Sequence, residues 1–139
     1  MGKMRLSKLR IVIAEDSPHV LRQSISLLGL DFQIVGVAEN GKSALECIRH
    51  QRPDVVVLDL QIPVLNGIEV TLELMKLNPR PAVVICSAET DSDFVEAALR
   101  AGAICYVFKI RMASDLVAAV KSASRCETFI SMRQVQPAR

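Results

Sequence analysis

The feature that most constrains this chain is a strict alternation of short apolar blocks with helix-patterned segments. The blocks "LRIVIA" (9–14), "QIVGVA" (33–38), "DVVVLD" (54–59), "AVVICS" (82–87) and "CYVFK" (105–109) read as strands. Ser17 and Pro18 signal the start of a first helix, with Val20, Leu21, Ser24, Leu27 and Leu28 on one face and Gly29 ending it. Asn40 and Gly41 open a second, with Ala44, Leu45 and Ile48 at helical spacing and Pro53 beyond its end. Further helices are predicted over 67–77, over 92–100 before Gly102, and from Ser114 to about residue 124. Strand-then-helix alternation predicts a parallel sheet with helices on both faces, because a parallel pair needs a crossover between its strands. With 139 residues the chain has room for one such domain. Residues 127–139, "ETFISMRQVQPAR", show no clear period and read as a loose tail or the start of a linker, with no effector domain present.

Composition excludes several alternatives. No apolar run approaches the roughly 20 residues of a membrane span, and "MGKMRLSKLR" lacks a signal-peptide pattern, so a cytoplasmic protein is expected. A net charge of +2, no Trp and one Tyr argue against direct nucleic-acid binding. Cys47, Cys86, Cys105 and Cys126 form no CxxC pair and are expected to be buried thiols. His19 and His50 fall on polar helix faces and are expected in solvent.

In an open α/β sheet the ligand site lies outside the carboxyl ends of the strands. Glu15 and Asp16 stand at that end of the first strand, Asp59 at the third, Ser87 and Ala88 at the fourth, and Tyr106 and Lys109 on the fifth. An unpaired carboxylate at the end of a buried strand such as "VVVLD" costs several kcal/mol, so Asp59 needs a reason to be there. Three carboxylates and one lysine give a formal charge of −3 + 1 = −2, which a bound Mg²⁺ would neutralise. One carboxylate could then act as nucleophile toward a phosphoryl group, with Lys109 and Ser87 stabilising its oxygens.

These residues resemble the response-regulator receiver domains of two-component signalling over about residues 8–126. The match consists of Glu15-Asp16, "LDLQIPVLNG", Ser87-Ala88, and "AGAICYVFK" with Tyr106 and Lys109. "AENGKSALECI" and "LVAAVKSASRCETFIS" are most similar to the NarL/FixJ subgroup. The resemblance implies a doubly wound, CheY-like five-stranded sheet of order 2-1-3-4-5 with five helices. It implies that Asp59 accepts phosphate from a sensor histidine kinase. Mg²⁺ would sit on Asp16, Asp59 and the backbone carbonyl of Gln61, with Glu15 acting through water. Ser87 and Lys109 would contact the phosphoryl group, Ser87 and Tyr106 would form the switch, and Gln61 and Glu89 would tune dephosphorylation. The output would be a changed interaction surface, with homodimerisation on phosphorylation as one form of it. DNA would be reached only through an effector domain that this chain lacks, no membrane is involved, and the chain is a signalling module, not an enzyme.

The sequence departs from that pattern at Val64-Leu65, which make the loop after the acceptor more apolar, and at Ile110, which stands where a proline usually follows the lysine. The chain also stops where a NarL-like protein continues toward a helix-turn-helix domain, which reads as a receiver fragment or a stand-alone receiver. In receivers with Lys-Pro that bond is commonly cis. A cis bond before Ile110 would cost about 2.5–4 kcal/mol, so trans is expected, with Lys109 less firmly held and Arg111 and Met112 turned outward. Two competing readings remain. One is a degenerate receiver that is never phosphorylated and acts as an interaction module. The other is a P-loop nucleotidase, since "GVAENGKS" (36–43) satisfies G-x-x-x-x-G-K-[ST].

Overall fold

Apolar residues at alternate positions in the strands decide the architecture. In the computed structural model, which describes residues 8–132, β1 (Arg10–Ala14), β3 (Val55–Leu58), β4 (Ala82–Ser87) and β5 (Cys105–Phe108) send successive side chains into two separate cores. Val12, Val56, Leu58, Val83, Ile85 and Tyr106 face one layer, formed by α2 (Gly41–Gln51), α3 (Gly67–Leu74) and α4 (Ser92–Ala101). Ile11, Ile13, Val55, Val57, Val84 and Val107 face the other, formed by α1 (Pro18–Leu28) and α5 (Met112–Ser124). Burial on both faces explains why these strands are almost continuously apolar. Each fully buried Val, Leu or Ile contributes about 1.5–3 kcal/mol to that packing.

The sheet is parallel throughout, in the order β2-β1-β3-β4-β5-β6, where β2 is Gln33–Ala38 and β6 is Phe129–Ile130. The five expected strands keep the expected order. The sixth corrects the expectation: Phe129 and Ile130 pair with Cys105 and Tyr106 on the outer edge of β5. Two residues carry no readable period, and their pairing is fixed by contacts distant in sequence. Ser131 donates its backbone N–H to the Tyr106 carbonyl at 2.9 Å. Its hydroxyl donates to Asp115 Oδ2 at 2.7 Å and accepts the Phe108 N–H at 3.1 Å. Residues 133–139 of the expected tail, and residues 1–7 of the N-terminal stretch, lie outside the described residues.

The helix starts follow their capping residues. The Ser17 hydroxyl accepts from Val20 N at 3.4 Å and Asn40 Oδ1 from Ser43 N at 2.8 Å, while Asn66 and Glu69 form a reciprocal capping box. Helix α3 is three residues shorter than expected, because the chain from Met75 to Leu77 leaves the helix in tight turns. Helix α5 begins two residues early, at Met112, directly after a 3₁₀ turn over Lys109–Arg111. Cys86 and Cys105 are buried, Cys47 is half-buried, and Cys126 is exposed, contrary to its expected burial. Desolvation pushes the Cys86 thiol up to about 12, so it stays protonated as a core residue. His19 and His50 are exposed, as expected.

Candidate functional site

Parallel register brings the carboxyl ends of β1, β3, β4 and β5 to one rim. The ladder extends one residue beyond the strands there: Glu15 N–H donates to the Ala38 carbonyl at 2.9 Å and Asp59 N–H to the Ala14 carbonyl at 3.1 Å. Both backbones are therefore fixed by the sheet, and their side chains emerge side by side. Glu15 is 4% and Asp59 6% exposed, whereas Asp16 lies open to solvent. Carboxylate oxygens of Glu15, Asp16 and Asp59 lie within 4.8 Å of one another. Lys109 enters from the end of β5, with Nζ 2.8 Å from Asp59 Oδ2 and 3.0 Å from Glu15 Oε1. The remaining oxygens are also engaged, since Asp59 Oδ1 accepts the Gln61 N–H at 3.2 Å and Glu15 Oε2 the Ser17 N–H at 3.0 Å.

Burial, opposed in part by the Ser17 and Lys109 hydrogen bonds, pushes the Glu15 carboxyl above the ordinary range. For Lys109, burial is the largest single influence and acts downward. Its hydrogen bonds to Asp59 and Glu15 together outweigh it and leave the ammonium above its ordinary value. Lys109 is thus fully charged at neutral pH.

Next to this group, Ser87 Oγ accepts the Glu89 N–H at 3.1 Å, and Tyr106 donates its hydroxyl to the Glu89 carbonyl at 2.8 Å. The Tyr106 ring is wholly buried and lies edge-on to Phe108, with 6.0 Å between centroids. Gln61 Nε2 donates to Glu89 Oε2 at 3.1 Å, linking the loop after β3 to the loop after β4. Replacing Tyr106 with Phe should cost about 1 kcal/mol in chemical denaturation and speed amide exchange in residues 89–91. An unchanged exchange pattern there would show that the hydroxyl does not tether the loop.

Two expectations about the β5–α5 connection need correction. The only cis peptide among the described residues is Asn78–Pro79, so Lys109–Ile110 is trans as expected. Lys109 is nevertheless firmly held, by two carboxylates at 3.0 Å or less. Met112 is buried rather than turned outward, because α5 starts at that residue and needs its side chain in the core. Arg111 is half-buried with Nε 3.0 Å from Asp115 Oδ2, and Ile110 takes the outward place at 88% exposure. Sequence reading did not find this Arg111–Asp115–Ser131 cluster, because nothing local connects Ser131 with the other two.

The nucleotide-site reading does not survive the geometry. Gly36 lies inside β2, and only Glu39 and Asn40 separate that strand from α2. The Asn40 side chain already occupies the Ser43 N–H that a phosphate would need, and Lys42 points into solvent.

A doubly wound parallel sheet whose carboxyl rim gathers two carboxylates and a lysine around one buried aspartate defines a receiver module. Residues 11–121 match the family model of the response regulator receiver domain, and the chain belongs to that family. It is 31% identical over 119 residues to the chemotaxis protein CheY of Thermotoga maritima, covering 84% of this chain and 98% of that protein. It is likewise 31% identical to the transcriptional regulatory protein DegU of Brevibacillus brevis, with 89% of this chain matched to 53% of that one. The signal receiver domain of the putative response regulator NarL from Mycobacterium tuberculosis superposes with a TM-score of 0.81 at 30% identity, covering 86% of this chain and 98% of that one. The chain thus spans nearly all of the chemotaxis relative and about half of the transcriptional one. Among the described residues no helix is long and apolar enough to cross a membrane.

Proposed function

We propose that Asp59 accepts a phosphoryl group from the phosphohistidine of a sensor kinase, and that the acyl phosphate reshapes a surface read by a downstream partner. The observation that carries this reading is the Asp59–Lys109 pair. A carboxylate 6% exposed, at the end of a central strand, keeps one oxygen 2.8 Å from an ammonium in a cleft whose other groups are acidic. In the reaction an Asp59 carboxylate oxygen attacks phosphorus and the P–N bond breaks. Its electron pair returns to the imidazole, which takes its proton from water. Lys109 turns from carboxylate partner to phosphoryl partner, stabilising charge on the transferred oxygens. Ser87, held at the end of β4, supplies a hydroxyl to the same group.

The donor set fits a magnesium ion. The cluster offers oxygen alone, which suits a hard cation, and its formal charge of −3 + 1 = −2 is relieved by a divalent one. Asp16, Asp59 and the Gln61 carbonyl would hold it, with Glu15 reached through water, and it would supply charge neutralisation for the incoming phosphoryl oxygens. Gln61 and Glu89, hydrogen-bonded to each other beside Asp59, would govern water access and hence phosphate lifetime. Tyr106 connects this rim to the α4–β5–α5 side through Glu89. The NarL and DegU likenesses support a transcriptional output exerted through a DNA-binding domain elsewhere, and phosphorylation-dependent self-association is one form the signal could take.

With acetyl phosphate and Mg²⁺, intact-mass analysis should show one added phosphoryl group on the wild-type chain and none on Asp59→Asn. A wild-type chain that stays unmodified with both acetyl phosphate and a phosphorylated kinase would instead assign a degenerate receiver.

A further inference from the structure

Lys109 has four rotatable side-chain bonds and must reach two carboxylates at once, so its aim depends on how firmly its backbone is set. The residue directly after it provides no such support: Ile110 stands in solvent, within a single 3₁₀ turn that leads to α5. On its inner side β5 is paired with β4, Ser87 lying opposite Phe108. On its outer side the last fixed point is Ser131. Its N–H bonds the Tyr106 carbonyl at 2.9 Å, and its hydroxyl accepts the N–H of Phe108, the residue before Lys109, at 3.1 Å.

Ser131 is itself fastened. It is 4% exposed and donates to Asp115 Oδ2 at 2.7 Å. Asp115, 7% exposed, also accepts from Arg111 Nε at 3.0 Å and from Ser114 Oγ at 3.0 Å. Arg111 belongs to the 3₁₀ turn that begins at Lys109. The cluster therefore grips the chain on both sides of the lysine, at Phe108 and at Arg111. Burying a carboxylate so completely is costly unless its partners are present, and two of its three partners, Arg111 and Ser131, hold the chain on either side of Lys109.

We propose that Ser131, held by Asp115, is a positioning residue for Lys109: it clamps the end of β5 so that the ammonium stays aimed at the Asp59 oxygen that receives the phosphoryl group. β6 thereby takes part in the chemistry of the rim without touching it. This inference rests on the assignment of Lys109 to the phosphoryl group made above.

The test is a double-mutant cycle on the full chain, read as the rate of phosphorylation by acetyl phosphate with Mg²⁺. Ser131→Ala leaves the Phe108 N–H without its partner and Asp115 Oδ2 with Arg111 alone, and should slow phosphorylation about tenfold, as expected for a misaimed catalytic group. In a Lys109→Ala background the same change should have no further effect, because there is no lysine left to aim. An undiminished rate in folded Ser131→Ala, or an equal tenfold loss without Lys109, would overturn the proposal. Thermal denaturation checks the fold of each variant. If Ser131→Ala fails to fold, the isosteric Asp115→Asn replaces it and should slow the reaction about threefold through the same lysine. A second readout needs no phosphorylation: the ¹⁵N resonance of the Lys109 ammonium should move in Ser131→Ala, or in Asp115→Asn in its place, toward that of a free lysine. If the wild-type chain takes no phosphoryl group, the assignment of Asp59 fails while this resonance still decides the role of Ser131. A shift supports it, and an unchanged resonance refutes it.

Discussion

Lys109→Ala is expected to destabilise the chain by about 3 kcal/mol at neutral pH in the absence of divalent cation and to slow phosphoryl acceptance by about two orders of magnitude. The stability loss follows from what the lysine leaves behind. Glu15 and Asp59 are nearly inaccessible to solvent, and with Asp16 they form an acidic triad within 4.8 Å. Among the described residues no other cation pairs with these carboxylates. The effect should depend on pH in a definite direction. The Glu15 carboxyl is already raised above its ordinary value of 4.5 by burial, and losing Lys109 raises it further. The folded state then binds a proton that the unfolded state releases, so stability falls as pH rises from about 4.5 through the native value and is regained on acidification. In the wild type the lysine contributes in the opposite range: its raised value means that its stabilisation is complete below 10.5 and is lost as pH climbs beyond the native value. Urea melts of wild type and variant from pH 4 to pH 8, with and without Mg²⁺, check this. Mg²⁺ should restore most of the loss in the variant. Equal stabilities at pH 7, or a variant that becomes more stable as pH rises, would contradict the account of the cleft.

Gly41→Ala carries the other large effect. A Cβ on Gly41 would lie 1.9 Å from the Leu65 carbonyl oxygen and 2.7 Å from its carbonyl carbon, and both are backbone atoms. They cannot rotate away as a side chain would. Gly41 N also donates to the Pro63 carbonyl at 3.0 Å, so the first turn of α2 and the loop after Asp59 are laid directly against each other. That loop is itself tightly folded: Leu65 N–H returns to the Pro63 carbonyl at 2.9 Å across Val64, which has φ +73°. A β-branched residue in that region is strained. Pushing the two segments apart should cost about 3 kcal/mol and displace the β3–α3 loop, visible as a lowered melting temperature and as slower phosphorylation. Ala at position 41 with wild-type stability would mean that the contact is looser than these distances indicate.

The two glycines of the asparagine-glycine pairs illustrate what sequence reading can and cannot provide. Asn40-Gly41 was legible as a helix start, because Asn caps and the following apolar residues recur at helical spacing, and the third helix was expected from Gly67, whereas its Asn66 cap is a finding of the structure. That Gly41 is required by close approach to Leu65, and that a Cβ on Gly67 would meet the Asp59 carbonyl oxygen at 2.5 Å, depends on how the β3–α3 loop folds back against α2 and the end of β3. The same division holds for the sheet. Five strands were legible since each carries a run of apolar residues long enough to stand out from the helices between them. The pair Phe129–Ile130 was not, because its pairing is set by Ser131 and Asp115 across 16 residues. At the rim, Glu15, Asp16, Asp59 and Lys109 could be named from the rule that ligands gather at strand ends. The firmness of Lys109 could not, because the local peptide sequence says nothing of the clamp on the far side of β5. Reading the missing proline as looseness treated a local preference as if it acted alone.

Asp59, and no other carboxylate of the triad, is expected to become the acyl phosphate. Borohydride reduces an aspartyl phosphate to homoserine and leaves free carboxylates intact. The chain, phosphorylated in the presence of Mg²⁺ and then reduced, can be digested and sequenced by mass spectrometry. Homoserine is expected at position 59 alone, in a yield that tracks the phosphorylated fraction and vanishes in Asp59→Asn. Conversion at Asp16, or a phosphorylated chain with aspartate intact at position 59, would contradict it.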